Sequence, residues 1–134
     1  MRLLLDTNVL LEVLLEQQHL AVSKALLERV KEHDFFLTDF ALHTIAMALV
    51  RKGSYQELLV FLSDTVQDGP LTVLTLGPAE IAAVVETAQR FRLDFDDAYQ
   101  YVVAEKHDLT LVSFDAHFDR TDRGRRTPAQ VLAG

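Results

Sequence analysis

The sequence predicts an α/β protein of three layers, helices on both sides of a central parallel sheet of four to five strands. Two observations carry that expectation. Apolar runs too short for helices recur along the chain: RLLL (2–5), FFLT (35–38), TVLTL (72–76) and TLVS (110–113). Nearly unbroken runs of this kind suit strands buried on both faces, which is the habit of parallel sheets. Longer segments of helical period separate them, as crossover connections require.

Taken in order, RLLL ends at Asp6, and an apolar helical segment follows over 8–17, with another over 20–32. FFLT leads into a helix over 39–51, which stops at Lys52-Gly53. From Ser54, SYQELLVFLSDTV sets Leu58, Leu59, Leu62 and Val66 on one face, and Asp68-Gly69-Pro70 breaks the pattern. After TVLTL, Gly77-Pro78 opens a helix whose stripe is Ile81, Val84, Val85, Ala88 and Phe91, with proline suited to the first turn. A helix over 97–107 and the strand TLVS complete the set. No repeat or long linker divides the 134 residues, so one domain over 1–134 is expected, with a basic tail from about residue 120.

Composition bounds the function. The chain is 49% hydrophobic, enough for a sizeable core, and has no cysteine, which excludes disulfides and thiolate metal sites. The N-terminus is basic and leucine-rich, but Asp6, Asn8 and Glu12 interrupt the run and no small-residue cleavage site follows. No stretch approaches the length of a membrane span. A cytoplasmic protein is expected. The net charge of −7 argues against general electrostatic attraction to nucleic acid. Charge is uneven, however: Arg120, Arg123, Arg125 and Arg126 stand against Asp122 alone in RTDRGRRTPAQ. The plain expectation there is a solvated, partly mobile terminus; the bolder one is a strip that guides a phosphate backbone.

Acidic residues sit where ligands gather. In open parallel sheets the binding crevice lies beyond the carboxyl ends of the strands, where strand order reverses. Asp6 ends the first strand, Asp39 follows the second, and Asp115 lies just past the last. LDFDDAYQYVVAEKHD adds Asp94, Asp96 and Asp97 at a helix start. Were Asp6, Asp97 and Asp115 to converge, their mutual repulsion would call for a hard cation, Mg2+ or Mn2+. Such an ion lowers the pKa of bound water and stabilises charge on a phosphoryl group, so phosphodiester hydrolysis is the chemistry that fits. Each residue also has an ordinary reading. Asp6 or Thr7 caps the following helix, Asp94 and Asp97 fill cap and third positions, and Asp115 makes a turn.

LLLDTNVLL near the start, LDFDDAYQYVVAEKHDLTLVSFDAHFDR late in the chain, and the strand–helix order between them resemble the PIN domain family. The likeness is to small single-domain members, including VapC-type toxins of toxin–antitoxin pairs. It implies a metal-dependent ribonuclease acting on RNA. Asp6, Asp97 and Asp115 match the family's acidic ligands, Ser113 stands where a threonine or serine is usual, and Asn8 matches the residue that supports the first aspartate. Asp94 and Asp96 lie near enough to assist. An antitoxin partner and a homodimer are implied as well, and the apolar helices 8–17 and 39–51 have faces to spare for self-association. One departure stands out. The family usually carries a glutamate in the helix after the second strand, and LTDFALHTIAMALVRKG has none. His43 or Thr44 falls nearest its place. For so apolar a helix the ordinary expectation is a hydrogen-bonded core histidine, and the bold one a replacement ligand. His19, His33 and His107 are expected in solvent, His117 in a turn near Asp115, and Tyr99 and Tyr101 in helix packing. Two rivals remain: a PIN module that binds RNA or protein without cleaving, and a phosphotransferase using Asp6 as nucleophile.

Overall fold

A computed structural model describes residues 1–134. The chain runs β1 (Arg2–Leu5), α1 (Thr7–Leu14), α2 (Leu20–Leu27), β2 (Asp34–Thr38), α3 (Asp39–Arg51), α4 (Tyr55–Phe61), β3 (Leu71–Leu74), α5 (Ile81–Phe91), α6 (Phe95–His107), β4 (Thr110–Val112) and α7 (Pro128–Leu132). The four strands pair in parallel in the order β3-β2-β1-β4. The α/β expectation therefore holds, at the lower strand number. In place of a fifth strand, Arg126 forms a single bridge to Val112: its N–H donates to Leu111 O at 2.9 Å and its carbonyl accepts from Ser113 N at 3.0 Å.

Successive side chains of a strand point to opposite faces, and the core divides accordingly. Leu3 and Leu5 of β1, Phe35 and Leu37 of β2 and Val112 of β4 pack with Val9, Leu26, Ile45, Phe61 and Val131. Leu4 and Leu111 point the other way, into Val84, Phe91, Val103 and Phe118. So α1 to α4 and α7 cover one face, and α5 with α6 covers the other. Leu3, Leu4 and Leu5 are fully buried, which is why the first strand reads as an unbroken apolar run. The chain builds outward from β1 through β2 to β3, then crosses to the far side of β1 to add β4. The reversal of strand order thus falls between β1 and β4.

Several expected boundaries move. The first two helices stop at Leu14 and Leu27 rather than at 17 and 32, and α6 begins at Phe95. After α4 the chain continues as a π-helical turn, Leu62–Gln67, and Gly69 closes it because a Cβ there would meet Asp64 O at 2.1 Å. Leu59 and Val85 face outward, 57% and 46% exposed, so their apolar stripes are narrower than the sequence suggested. The tail folds against the rest of the chain. Thr127 and Gln130 form a reciprocal capping box with Pro128 at the first helical position, and Val131 anchors the short helix in the core. No helix is long and apolar enough to cross a membrane.

Candidate metal centre

Asp6 stands at the N-terminus of α1, yet its side chain does not cap the helix. Its backbone N–H extends the ladder to Val112 O at 2.9 Å, which points the carboxylate past the end of β4. There Ser113 Oγ donates to Asp6 Oδ2 at 2.6 Å and Gln100 Nε2 donates to Oδ1 at 2.8 Å. Asn8 Nδ2 lies 3.3 Å from both Asp6 Oδ2 and Ser113 Oγ, while Asp115 N–H donates to Ser113 Oγ at 2.9 Å. Ser113 is the hub that fixes the ends of β1 and β4 together. Burial pushes the Asp6 carboxyl above its ordinary value; the Ser113 and Gln100 hydrogen bonds pull back, and the charge of Asp115 adds to the rise.

Asp97 comes from the first turn of α6, a helix buried at every position from Asp97 to Ala104. The left-handed residue Arg92 closes α5 and turns the chain into Leu93 and Asp94, so that α6 starts over the β1–β4 edge. Asp97 is buried and its carboxyl is pushed up to about 7. Desolvation is the main cause, and the charges of Asp6, Asp96, Asp115 and Asp94 reinforce it. Asp94 holds the helix N-cap position without a side-chain cap bond, and Asp96 lies in the same turn; both are exposed. The capping role weighed for Asp6 and Asp94 is therefore not what these carboxylates do.

Asp115 does serve a turn. Its Oδ1 accepts from His117 N–H at 2.8 Å and starts the 3₁₀ segment Ala116–Arg120. His117 Nδ1 also lies 3.2 Å from that oxygen. Asp97, Asp115 and His117 each offer one ligand atom, all within 4.8 Å of one another, and Asp94, Asp96 and Asp97 form a second such group. Gln100, one turn beyond Asp97, leaves its Oε1 buried without a partner.

The remaining candidates stand apart. His43 is exposed, not in the core, because α3 turns Ala41, Ile45 and Leu49 inward instead. It lines a cleft of about 240 Å³ with Asp39, Phe40, Thr44, Met47 and Tyr99. Asp39 is fully engaged: Oδ1 accepts from Tyr99 OH and Phe40 N–H, and Oδ2 from Thr75 Oγ1 at 2.8 Å. Among the arginines, Arg120 donates to Arg92 O, Arg123 pairs with Asp108, and Arg125 makes a two-bond fork to Asp119 while donating to Ser113 O. Arg126 is exposed and spends its hydrogen bonds on its backbone. Arg123, Arg125 and Arg126 line a cavity of about 330 Å³ beside β4 with Tyr101 and Thr110. Sequence reasoning passed over Gln100; its signal was a polar residue three positions after Asp97 on an otherwise buried helix.

A parallel sheet with carboxylates gathered at the point where strand order reverses defines an α/β protein whose site suits a hard cation. The family model "PIN domain" matches residues 3–124, and the chain belongs to that family. No curated protein sequence matches it. Solved structures share the fold. A toxin–antitoxin complex from Klebsiella pneumoniae aligns at TM-score 0.73 and 21% identity, covering 93% of this chain and 96% of that one. VapBC2 from Rickettsia felis, bound to a promoter DNA fragment, aligns at 0.73 and 16% over 94% and 97%. VapC20 from Mycobacterium tuberculosis, a toxin that cleaves the sarcin–ricin loop, aligns at 0.69 and 15% over 84% and 89%.

Proposed function

We propose that the chain is a divalent-metal-dependent endoribonuclease of the toxin kind, with Asp6, Asp97 and Asp115 holding Mg2+ or Mn2+. The observation that carries the reading is the Asp97 carboxyl, pushed up to about 7 in a cluster of like charges. A protein that gathers carboxylates against their repulsion has a site whose charge a cation completes. The donor set fits: hard oxygens predominate, and the buried, unpartnered Gln100 Oε1 is a further acceptor suited to a metal-bound water. Bound there, the ion would supply a water of lowered pKa and stabilise charge on the phosphoryl group.

The protein's own groups would do the rest. Ser113, Asn8 and Gln100 hold Asp6 in one orientation, and burial keeps competing water away from Asp97. Asp94 and Asp96, exposed at the mouth, favour approach of a cation. Arg126, with Arg123 and Arg125 behind it, is the candidate for contact with the RNA backbone.

The fold shared with toxin–antitoxin complexes supports an antitoxin partner and, with RNA as substrate, a cytoplasmic setting. Phe40, Met47 and Val50 on the outer side of α3, with Phe95 5.9 Å from Phe40, offer an apolar face for a homodimer. A second reading, a PIN module that binds RNA without cutting it, is favoured by the missing α3 glutamate, whose place the exposed His43 does not fill. Incubation of RNA with the protein and Mn2+ separates the two. Cleavage that Asp6→Asn and Asp97→Asn abolish supports the nuclease; metal-insensitive RNA binding without cleavage supports the module.

A further inference from the structure

We propose that His117 is a direct ligand of the cation, making the centre a mixed oxygen–nitrogen site that prefers Mn2+ to Mg2+. The inference rests on the metal-dependent reading above and adds a residue to it.

The geometry begins with the backbone. Asp115 Oδ1 accepts the His117 N–H at 2.8 Å, which fixes residue 117 beside that carboxylate. The imidazole Nδ1 then reaches 3.2 Å from the same oxygen. Adjacent donors on an octahedral ion, with bonds near 2.1 Å, stand about 3.0 Å apart, and opposite donors about 4.2 Å. One atom each from Asp97, Asp115 and His117 lies within 4.8 Å of the others, so small side-chain adjustments bring all three onto one ion. The His117 side chain is 54% exposed, which leaves it room for such a movement. Gln100 gives an independent sign that the pocket is built for a ligand: its amide lies against Asp6, is 3% exposed, and leaves Oε1 without a partner.

The helix that ordinarily contributes a glutamate cannot complete the sphere here. His43 points outward from α3, and Asp39, tied to Tyr99, Thr75 and the Phe40 amide, lies outside the Asp97–Asp115–His117 group. His117 supplies the missing protein donor from the turn that follows β4. Changing a carboxylate for an imidazole alters the selectivity. Mg2+ demands oxygen and holds its waters, whereas Mn2+ accepts nitrogen more readily.

The test uses the full chain with Mn2+ as a paramagnetic probe. Pulsed electron paramagnetic resonance reads nitrogen-14 coupling to the bound ion, and calorimetry gives Mn2+ and Mg2+ affinities for the wild type, His117→Gln and His19→Gln. His19 is an exposed imidazole stacked on Phe114, outside the cluster, and serves as the control. The expected result is nitrogen coupling in the wild type and in His19→Gln, and its loss in His117→Gln. Mn2+ affinity should fall roughly tenfold or more in His117→Gln while Mg2+ affinity changes less than about threefold. Thermal unfolding without metal verifies that the variant is folded. Mn2+ bound by the wild type without nitrogen coupling overturns the proposal and leaves the metal-dependent reading standing; failure of the wild type to bind Mn2+ overturns both.

Discussion

Asp6 and Asp39 occupy nearly the same place in the local pattern of the chain, each closing a buried parallel strand and opening a helix at the same edge of the sheet. One residue of register separates their roles. In FFLTD, Thr38 takes the cap position, its hydroxyl accepting from Ala41 N–H at 3.0 Å, and Asp39 becomes the first helical residue. There it finds three donors and ties β2, the β3 exit and α6 together. In LLLDT the aspartate is itself the cap residue, and its carboxylate turns away from the helix toward β4. Strand order does the rest. β4 inserts beside β1, not beside β2, so it is Asp6 that hydrogen-bonds Ser113 and lies near enough to feel the charge of Asp115 and to act on Asp97. A carboxylate at a strand end joins the acidic cluster where the sheet reverses direction, and becomes a structural tie where it does not.

The strongest way to break this comparison is to neutralise each aspartate in turn. Asp6→Asn or Asp97→Asn should lower manganese-dependent RNA cleavage by about a thousandfold, near 4 kcal/mol of transition-state stabilisation. Asp39→Asn should leave cleavage within about threefold. Equal losses at both positions, measured on a defined RNA, would show that the two strand ends are not functionally distinct.

Stability should run the opposite way. Asp39→Ala strands the Tyr99 hydroxyl, whose oxygen also accepts the Leu76 N–H, and should destabilise the fold by about 1–3 kcal/mol. Asp97→Asn should stabilise the metal-free protein at pH 8, by roughly 2–4 kcal/mol, because it removes a carboxylate whose charge the fold disfavours. Chemical denaturation of both variants checks the signs.

The pH dependence sharpens the same contrast. The folded-state pKa of Asp97 is about 7, above the unfolded value near 3.8, so the folded protein binds the extra proton between those limits. The metal-free protein is therefore favoured on the acid side, and it loses this stability as pH rises from about 4 through 7. Asp6, also raised, acts in the same direction. Melting temperatures should fall from pH 5 to pH 8 without metal and flatten when Mn2+ is added; a slope unaffected by Asp97→Asn would contradict the assignment.

Smaller effects are expected at the supports. Ser113→Ala frees Asp6 from its shortest hydrogen bond and should weaken Mn2+ binding by about 10–100-fold, read by calorimetry. Arg126→Ala should weaken RNA binding by less and reduce its salt slope by about 1.

Much of this was legible in the sequence because buried parallel strands write themselves as apolar runs, and ligands gather at their carboxyl ends. That rule points to Asp6 and Asp115, the acidic run at a helix start adds Asp97, and the family resemblance adds Ser113 and Asn8. It also admits Asp39, since strand-end position alone does not reveal which strands are neighbours. Gln100 shows in the sequence only as a polar residue one turn after Asp97; that its partner is Asp6 depends on how α6 lies over β1, a long-range packing result. The docking of the tail was hidden for a similar reason. Arg125 is held by Asp119 and by the Ser113 carbonyl, contacts that a charge count reports only as a basic run. The helix at Pro128–Leu132 was readable in principle, since Thr127, Pro128 and Gln130 spell a capping box. The outward His43 depended on which side of an almost uniformly apolar helix faces the sheet.

The central claim, that one cation draws these carboxylates to the β1–β4 edge, is tested most directly by anomalous diffraction from crystals grown with Mn2+. A single strong manganese peak within bonding distance of Asp6, Asp97 and Asp115 oxygens is the predicted result. A peak elsewhere on the surface, or none at millimolar Mn2+, would contradict it.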